Sequence, residues 1–422
     1  MSDLTISTTQ AKPRARKSMF QRAFFKLMGG LTHGCVRVLF ENQYHQFDSG
    51  KPYLSGPVEL HIHHASFFKR ALLGGTVGAA ESYMLGEWST PNLPQVVRLM
   101  VKNRATMERM DKGWFKWSNY LNSLLHAFRK NTVSGSKKNI VAHYDLGNRF
   151  FELFLDQSMQ YSSAVFKTPQ QSLEDASRNK METICQKLQL KPEHHVLEIG
   201  SGWGELACYM ASTRGCRVTT TTISEEQYVL TCQKVRERNL EDRVEVLKKD
   251  YRHLEGTYDH LVSIEMIEAV GHHYLDTYLK TCMNRLKPSG RFLLQVITIR
   301  DHLYDSAVNS VDFIKKYIFP GSFIPCISAV MASVQKQTDF RMQDMQDLTP
   351  HYAKTIDHWR QRFLSKMVAV EELGYSIPFI RMWDFYLAYC QGGFEEESIG
   401  CAQLLLARPE AHQTIETTTN RS

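Results

Sequence analysis

The stretch HVLEIGSGWG, residues 195–204, runs from a buried-strand pattern into a turn with three glycines, and a helical pattern opens at residue 205. Glycines in such a turn let backbone approach a ligand without a Cβ in the way, and the first helical N–H groups point into the same space. Around this stretch strands and helices alternate. A helix at 172–189 precedes it, and strand CRVTTTTI, helix 225–238, strands VEVLKKD and YDHLVSIE, helix 273–286 and strand RFLLQVITI follow. Helices at 351–370 and 376–390 and a last strand, IGCAQLLLAR, complete the pattern. The alternation predicts an α/β fold, a doubly wound (Rossmann-like), mostly parallel sheet with helices on both faces. Ligands of such sheets bind at the C-terminal strand edge, so the less regular stretch 300–340, inserted after a late strand, reads as a lid.

The chain before this region reads as a smaller, mixed and helix-rich domain. From Met19, MFQRAFFKLMGGL spaces apolar residues as a helix does, with Arg22 and Lys26 between them; it reads as a first core helix, with a membrane-surface helix as the alternative. GPVELHIHH alternates like a strand, ALLGGTVGAAESYMLGEW reads as a Gly-rich turn and helix, and LPQVVRLMVKNRATMERM as helix. RKNTVSGSKKN, residues 129–139, has the composition of a linker. The expected division is a mobile N-terminus (1–18), an N-terminal domain (19–130), a linker (131–140), a main domain (141–410) and a mobile tail (411–422).

Composition narrows the class. With 422 residues, 43% hydrophobic and 23% charged, the chain is neither disordered nor fibrous. No stretch approaches the roughly 18 apolar residues of a membrane span, and the basic N-terminus lacks the apolar core of a signal peptide, so the reading is cytoplasmic. Nine scattered cysteines without a C-x-x-C pair read as reduced thiols. The net charge of +7 is uneven: residues 1–142 carry 20 Lys and Arg against 8 Asp and Glu. His61, His63 and His64, and the pair His272-His273, lack metal-site spacing, so no metal is expected.

The glycine turn suits either a dinucleotide or S-adenosylmethionine. Three features favour the second: the spacing is G-x-G-x-G, Glu198 stands just before the turn, and the next strand ends in Thr222-Ile223-Ser224 without the carboxylate expected for a nicotinamide ribose.

Together with this turn, TTISEEQ (221–227), HYDLGNRFFELFLDQSMQYSSAVF (143–166), IEAVG (267–271) and KYIFPGSFIP (316–325) resemble the cyclopropane-fatty-acyl-phospholipid synthases and the related mycolic-acid methyltransferases. The resemblance runs from about residue 55, where GTVGAAESYMLGEW is similar to that family's lipid-binding domain, to about residue 408. It implies a class I methyltransferase using S-adenosylmethionine. Tyr161 and Ser162 would cap the cofactor's methionine end, and Glu198, Gly200, Ser201, Gly202, Trp203 and Gly204 would hold its carboxylate and ribose. Thr222, Ile223, Ser224 and Gln227 would contact ribose and adenine, and Asp250 and Tyr251 would close over the ring. Helix capping or strand-edge bonding is the plainer role of each hydroxyl outside the turn.

The reaction so implied is methyl transfer to the cis double bond of an unsaturated acyl chain still attached to phospholipid, through a carbocation. Proton loss from the added methyl closes a cyclopropane; the other fates leave a methylene or methyl branch, which an oxidoreductase partner would complete to a saturated one. An apolar tunnel, aromatic faces and a base are required. In the family that base resembles a bound bicarbonate held by Cys, Glu, His, Tyr and a backbone group. The matching positions are Ser163, Glu268, Gln295, Tyr352 and the Ile297 backbone, so Ser163 and Gln295 depart from the pattern while still offering donors. Cys390 matches a cysteine sometimes placed in the family's active site, although a buried thiol is more often a small hydrophobe.

The resemblance gives the basic first domain a use. Unsaturated phospholipids at an anionic membrane surface become the expected partners, with peripheral attachment to the inner face of the cytoplasmic membrane. A homodimer is implied by analogy, and no nucleic acid is expected. Two other readings stay open: a methyltransferase of nucleic acid or a small molecule, and a lipid- and cofactor-binding protein without turnover.

Overall fold

The computed structural model describes residues 18–104 and 147–411. The expected linker at 131–140, the terminal segments read from sequence as mobile except Ser18 and Ala411, residues 105–130 of the expected N-terminal domain and the first residues of the 143–166 motif lie outside them.

The N-terminal unit comprises α1 (Met19–Met28), β1 (Cys35–Phe40), β2 (Gln43–Asp48), β3 (Val58–Ile62), α2 (Ser66–Met84), β4 (Trp88–Ser89) and α3 (Leu93–Lys102). Its strands lie in the order β2-β1-β3-β4. Val36, Val38 and Phe40 of β1 and Val58, Leu60 and Ile62 of β3 alternate to one buried face. Helices cover that face, with Phe24 of α1 edge-on to Phe67 and Phe68 of α2 at 5.2 and 5.5 Å. The helix pattern at 19–28 is thus a core helix, with Arg22 and Lys26 outward. The expected Gly-rich turn at 71–78 is instead inside α2, which kinks at Gly75 (φ +52°, ψ −136°), a conformation open to glycine. Strands β1, β2 and the two-residue β4 stand where the sequence pattern predicts no strand.

The second unit contains α4 (Asn148–Glu152), α5 (Leu173–Lys187), β5 (His195–Ile199), α6 (Glu205–Arg214), β6 (Arg217–Thr222), α7 (Glu225–Glu237), β7 (Val244–Lys248), β8 (Tyr258–Ile264), α8 (Leu275–Asn284) and β9 (Leu286–Ile299). It continues through α9 (Tyr304–Val308), α10 (Ile327–Gln337), β10 (Arg341–Asp347), α11 (Thr349–Ser365), α12 (Met367–Glu372), α13 (Ile377–Glu395) and β11 (Ile399–Ala407). The sheet order is β10-β11-β9-β8-β5-β6-β7. The five strands from β9 to β7 are parallel, and β11 and β10 add to them antiparallel. This is the doubly wound, mostly parallel sheet that the alternation predicts. Its strand order reverses between β5 and β8, so the C-terminal ends of these two neighbours define the crevice in which such folds bind ligands.

The 300–340 segment lines the cavity described below with its first half and packs on the sheet layer with its second. Val330 and Val334 of α10 are buried beside Leu275 and Leu279 of α8, making this helix part of the layer over the sheet. Phe313 and Phe323, in the irregular part, are buried as well. The N-terminal unit is fastened to α13: Tyr83 donates to Asp384 at 2.7 Å, Arg98 pairs with Glu396 at 2.7 Å, and a Cβ at Gly392 would come within 2.7 Å of Val97.

Candidate active site

The turn after β5 is built on left-handed backbone. Gly200, Gly202 and Gly204 have φ of +97°, +50° and +82°. A Cβ at Gly202 would enter open space, whereas one at Gly204 would strike Thr231 Cγ2 at 2.6 Å. Gly202 therefore opens the cradle, and Gly204 lets α6 pack on α7. The N–H groups of Gly200 and Ser201 both donate to the Thr221 carbonyl at 3.0 Å, locking the turn to the end of β6. Trp203 is buried, its indole N–H donating to Asn148 at 2.7 Å. Glu198 accepts from Thr220 at 2.5 Å, and burial pushes its carboxyl up to about 8.

Around this turn Thr222 donates to Gln227 at 2.8 Å, and both line the cavity with Ile223. Ser224 caps α7, accepting from the Gln227 N–H at 3.4 Å, and does not line the cavity; its plainer role is the observed one. Asp250 is held by Arg252 at 2.7 Å; burial opposes its charge, but the Arg252 bonds outweigh burial and keep the carboxyl below its usual range. Tyr251 also faces the cavity, its buried hydroxyl having no partner among the described residues. Ser162 accepts from the fully buried Lys180 at 2.6 Å. Burial brings that ammonium down to about 8, with Glu265 and Asp156 pulling it back up. Tyr161 and Tyr386 share a hydrogen bond at 2.8 Å.

Past the end of β8 lies a second cluster, centred on Glu265. Its Oε1 accepts from the Ser163 N–H at 2.9 Å and the Gln295 amide at 2.7 Å, and its Oε2 from the Tyr352 hydroxyl at 2.6 Å. Gln295 is itself oriented by Gln403, whose amide donates to it at 2.9 Å. Glu268 accepts from the Ile297 N–H at 2.5 Å, and its other oxygen is buried without a partner among the described residues. Burial raises both carboxyls. For Glu265 the three donors and Lys180 act against burial, whereas for Glu268 the neighbouring Glu265 adds to it, bringing Glu268 up to about 8. Of the two, Glu265, with donors on both oxygens, is the better placed to carry negative charge, and Glu268 the better placed to keep a proton.

One cavity of about 1470 Å³ joins the two clusters. From Gly200 and Asp250 it passes Glu265, Glu268 and Tyr352, then runs between Phe24, Leu72 and Val97 of the N-terminal helices and Ile314 and Phe319 of the 300–340 segment. Cys390 is part of this wall, and burial, followed by Asp312, holds its thiol protonated.

Comparison with known proteins gives this geometry a family. The family model for mycolic acid cyclopropane synthetase matches residues 131–404. The cyclopropane-fatty-acyl-phospholipid synthase of Escherichia coli (strain K12) is 35% identical over 359 residues, 84% of this chain and 89% of that protein. The chain belongs to this family. The tuberculostearic acid methyltransferase of Mycobacterium tuberculosis is 36% identical over 345 residues, 79% of each chain. Among solved structures, mycolic acid cyclopropane synthase CmaA1, complexed with SAH and CTAB, aligns with a TM-score of 0.61 and 28% identity, over 64% of this chain and 98% of that one.

As a member of this family the chain is an S-adenosylmethionine-dependent methyltransferase, and its cradle fits the cofactor. Gly202 leaves space where a side chain would stand, the Tyr251 hydroxyl awaits a partner, and Asp250 is held as an anion. Bound there, S-adenosylmethionine supplies an electrophilic methyl group. Of the expected contacts, Gly204 and Ser224 are structural supports. The expected bicarbonate does not fit these residues. The Ser163 hydroxyl donates to the Ala164 carbonyl, and the donors expected to face an anion are engaged by Glu265 and Glu268. Sequence reasoning missed two residues of the site. Glu265 stands at the C-terminal end of a parallel strand beside the switch point, where a carboxylate is a functional signal. Lys180 falls in phase with the buried stripe Leu173, Ala176 and Ile184 of α5, a charged residue on an apolar face.

Proposed function

We propose that this methyltransferase acts on the cis double bond of an unsaturated acyl chain of a phospholipid and that the cation so formed closes to a cyclopropane. The observation that supports it is the cavity: a cofactor cradle opens past a carboxylate pair into an apolar channel between the N-terminal helices. An acyl chain has only methylenes to offer, each contributing roughly 0.8 kcal/mol on burial, so about ten of them supply about 8 kcal/mol toward drawing the chain out of a bilayer. Tyr161, Tyr386 and Tyr352 present π faces along the path where positive charge develops. The basic residues of the first domain dock the enzyme on an anionic surface; equal cosedimentation with neutral and anionic vesicles would remove this part of the reading.

A second reading, in which the product is a methylene or methyl branch, draws support from Glu265, whose side chain takes the place expected for the family's anion. The decisive experiment is mass spectrometry of fatty acids from cells fed deuteromethyl methionine and making either wild type or Glu268→Gln. A saturated product that keeps two deuteriums and resists mild hydrogenation is a cyclopropane. Three deuteriums mark a methyl branch, and two deuteriums with uptake of hydrogen mark a methylene. No labelled lipid from wild type would refute both readings.

A further inference from the structure

We propose that Glu265 is the base of this reaction, a carboxylate built into the chain at the place where a bound bicarbonate was expected, and that the enzyme works without that anion. The proposal rests on the methyl-transfer reading above.

Three independent observations converge on it. The first is the set of donors. Ser163 N–H, the Gln295 amide and the Tyr352 hydroxyl, groups that would otherwise face a free anion, all end on the two oxygens of Glu265. The second is access. Ser163 and Gln295 are fully buried and do not line the cavity, whereas Glu265, which takes their hydrogen bonds, does, together with Tyr352. A bicarbonate brought to them would have to displace a charge of its own sign from its own hydrogen bonds. The third is backbone. Glu265 has φ +51°, in the left-handed region where a side chain costs energy and glycine does not. Strain of this kind persists where surrounding structure holds it, and here the side chain sits among the donors of the site.

Glu265 also has the right state for the task. It accepts hydrogen bonds from Ser163, Gln295, Tyr352 and, more weakly, the Cys401 thiol at 3.8 Å, and donates none, the pattern of an ionised carboxylate, and the buried Lys180 ammonium stabilises that charge. Glu268, with one oxygen on the Ile297 N–H and the other unpartnered among the described residues, is the neighbour that keeps its proton. Two carboxyls held apart in this way divide the roles of acid and base. Once the methyl group has been added, the acyl chain carries a carbocation. Oε2 of Glu265, which accepts a single bond among the described residues, takes a proton from the added methyl group. With the cation on the adjacent chain carbon, the electron pair of that C–H bond closes onto it as the third bond of a ring; after a 1,2-hydride shift has moved the cation to the carbon that bears the methyl, the same pair becomes the π bond of a methylene. Cation and carboxylate become neutral product and neutral carboxylic acid, so charge balances without a further reactant.

The test uses the full-length chain, vesicles of unsaturated phospholipid and ¹³C-labelled bicarbonate. In buffer scrubbed of carbon dioxide, wild type should methylate lipid at the rate seen in millimolar bicarbonate, and calorimetry and ¹³C line broadening should detect no bicarbonate binding. Glu265→Gly relieves the backbone and opens a carboxylate-sized space on intact donors. It should lose roughly 10²–10⁴ in rate, bind bicarbonate, and recover at least about tenfold when bicarbonate is added. Glu265→Gln keeps the shape without the base and should lose as much rate with no recovery. Stimulation of wild type by bicarbonate, bicarbonate binding to wild type, or a Glu265→Gln variant at wild-type rate would each overturn the proposal. Binding of S-adenosylhomocysteine reports folding; should the glycine variant fail it, the wild-type and glutamine arms decide. If wild type transfers no methyl to lipid, the reading of the function falls by itself. The place of Glu265 is then decided by bicarbonate binding to the glycine variant alone, which upholds it, or to wild type, which refutes it.

Discussion

Replacing Glu268 by Gln should change how stability depends on pH, by an amount set by the structure. The carboxyl is fully buried, with one oxygen on the Ile297 N–H and Glu265 beside it; burial first and that neighbour second raise it from an ordinary 4.5 to about 8. In the unfolded chain it titrates normally. Between the two values the folded state binds a proton that the unfolded state has released, so stability is fully present below the unfolded value and is lost as pH rises toward the folded one. The slope for one proton is about 1.4 kcal/mol per pH unit, so the loss from about pH 5 to about pH 8 is about 4 kcal/mol, with nothing further above that. The Glu268→Gln side chain has no proton to lose but keeps the shape and an acceptor for Ile297. Wild type minus variant should therefore fall by about 4 kcal/mol across that range, groups remote from the carboxyl pair cancelling in the difference. Urea unfolding followed by tryptophan fluorescence measures it, because Trp359 and Trp383 are buried in the core cluster that contains Tyr352. Parallel curves over this range would mean that Glu268 is ionised throughout, and the assignment of charge within the pair would be wrong.

Three further outcomes are expected. Gly204→Ala places a side chain at φ +82° and a methyl 2.6 Å from Thr231 Cγ2; it should cost about 2–4 kcal/mol and weaken S-adenosylhomocysteine binding, with partial recovery on Thr231→Ser, and unchanged thermal stability would refute the packing role. Gly74→Phe, at a cavity position where a Cβ meets nothing within 4 Å, should block the N-terminal limb, so that lipid methylation falls more than about tenfold while calorimetry finds cofactor affinity unchanged. Cys390→Ala should keep methyl transfer within about threefold of wild type in a rate assay, since the thiol is held protonated in an apolar wall; a loss of about 10² or more would restore it as a reacting group.

The legible part of the fold was the part where pattern and environment agree. Strands β5, β8 and β9 are buried on both faces and read as apolar runs, and Ser224 and the glycine turn punctuate the helices between them. Strand β10, RMQDMQD, lies at the sheet edge with most residues exposed, so no apolar alternation announces it. The Gly75 kink could not be told from a turn, because the same residue serves both. At the site, Glu268, Tyr352 and the cradle were legible from motifs. Glu265 was not, because its role comes from donors on Ser163, Gln295 and Tyr352, which lie 102, 30 and 87 residues away in the chain.

A built-in carboxylate and a bound anion solve the same problem with different consequences. A diffusible anion is present only as its concentration and affinity allow. Glu265 is always present, at the cost of a left-handed backbone, about 1–2 kcal/mol, and of a buried charge that Tyr352, Ser163, Gln295 and Lys180 offset. It is also tethered to the end of β8, and its oxygens are fixed by donors on β9, on α11 and in the loop before α5, so it cannot shift to follow the cation along the acyl chain. With the base immobile, whether the ring closes before the hydride shifts is set by how the chain is seated in the channel between Phe24, Leu72, Val97 and Phe319. Substitutions in that channel, far from either carboxylate, are therefore the ones that should alter the ratio of ring to branch, while substitutions at Glu265 should alter the rate.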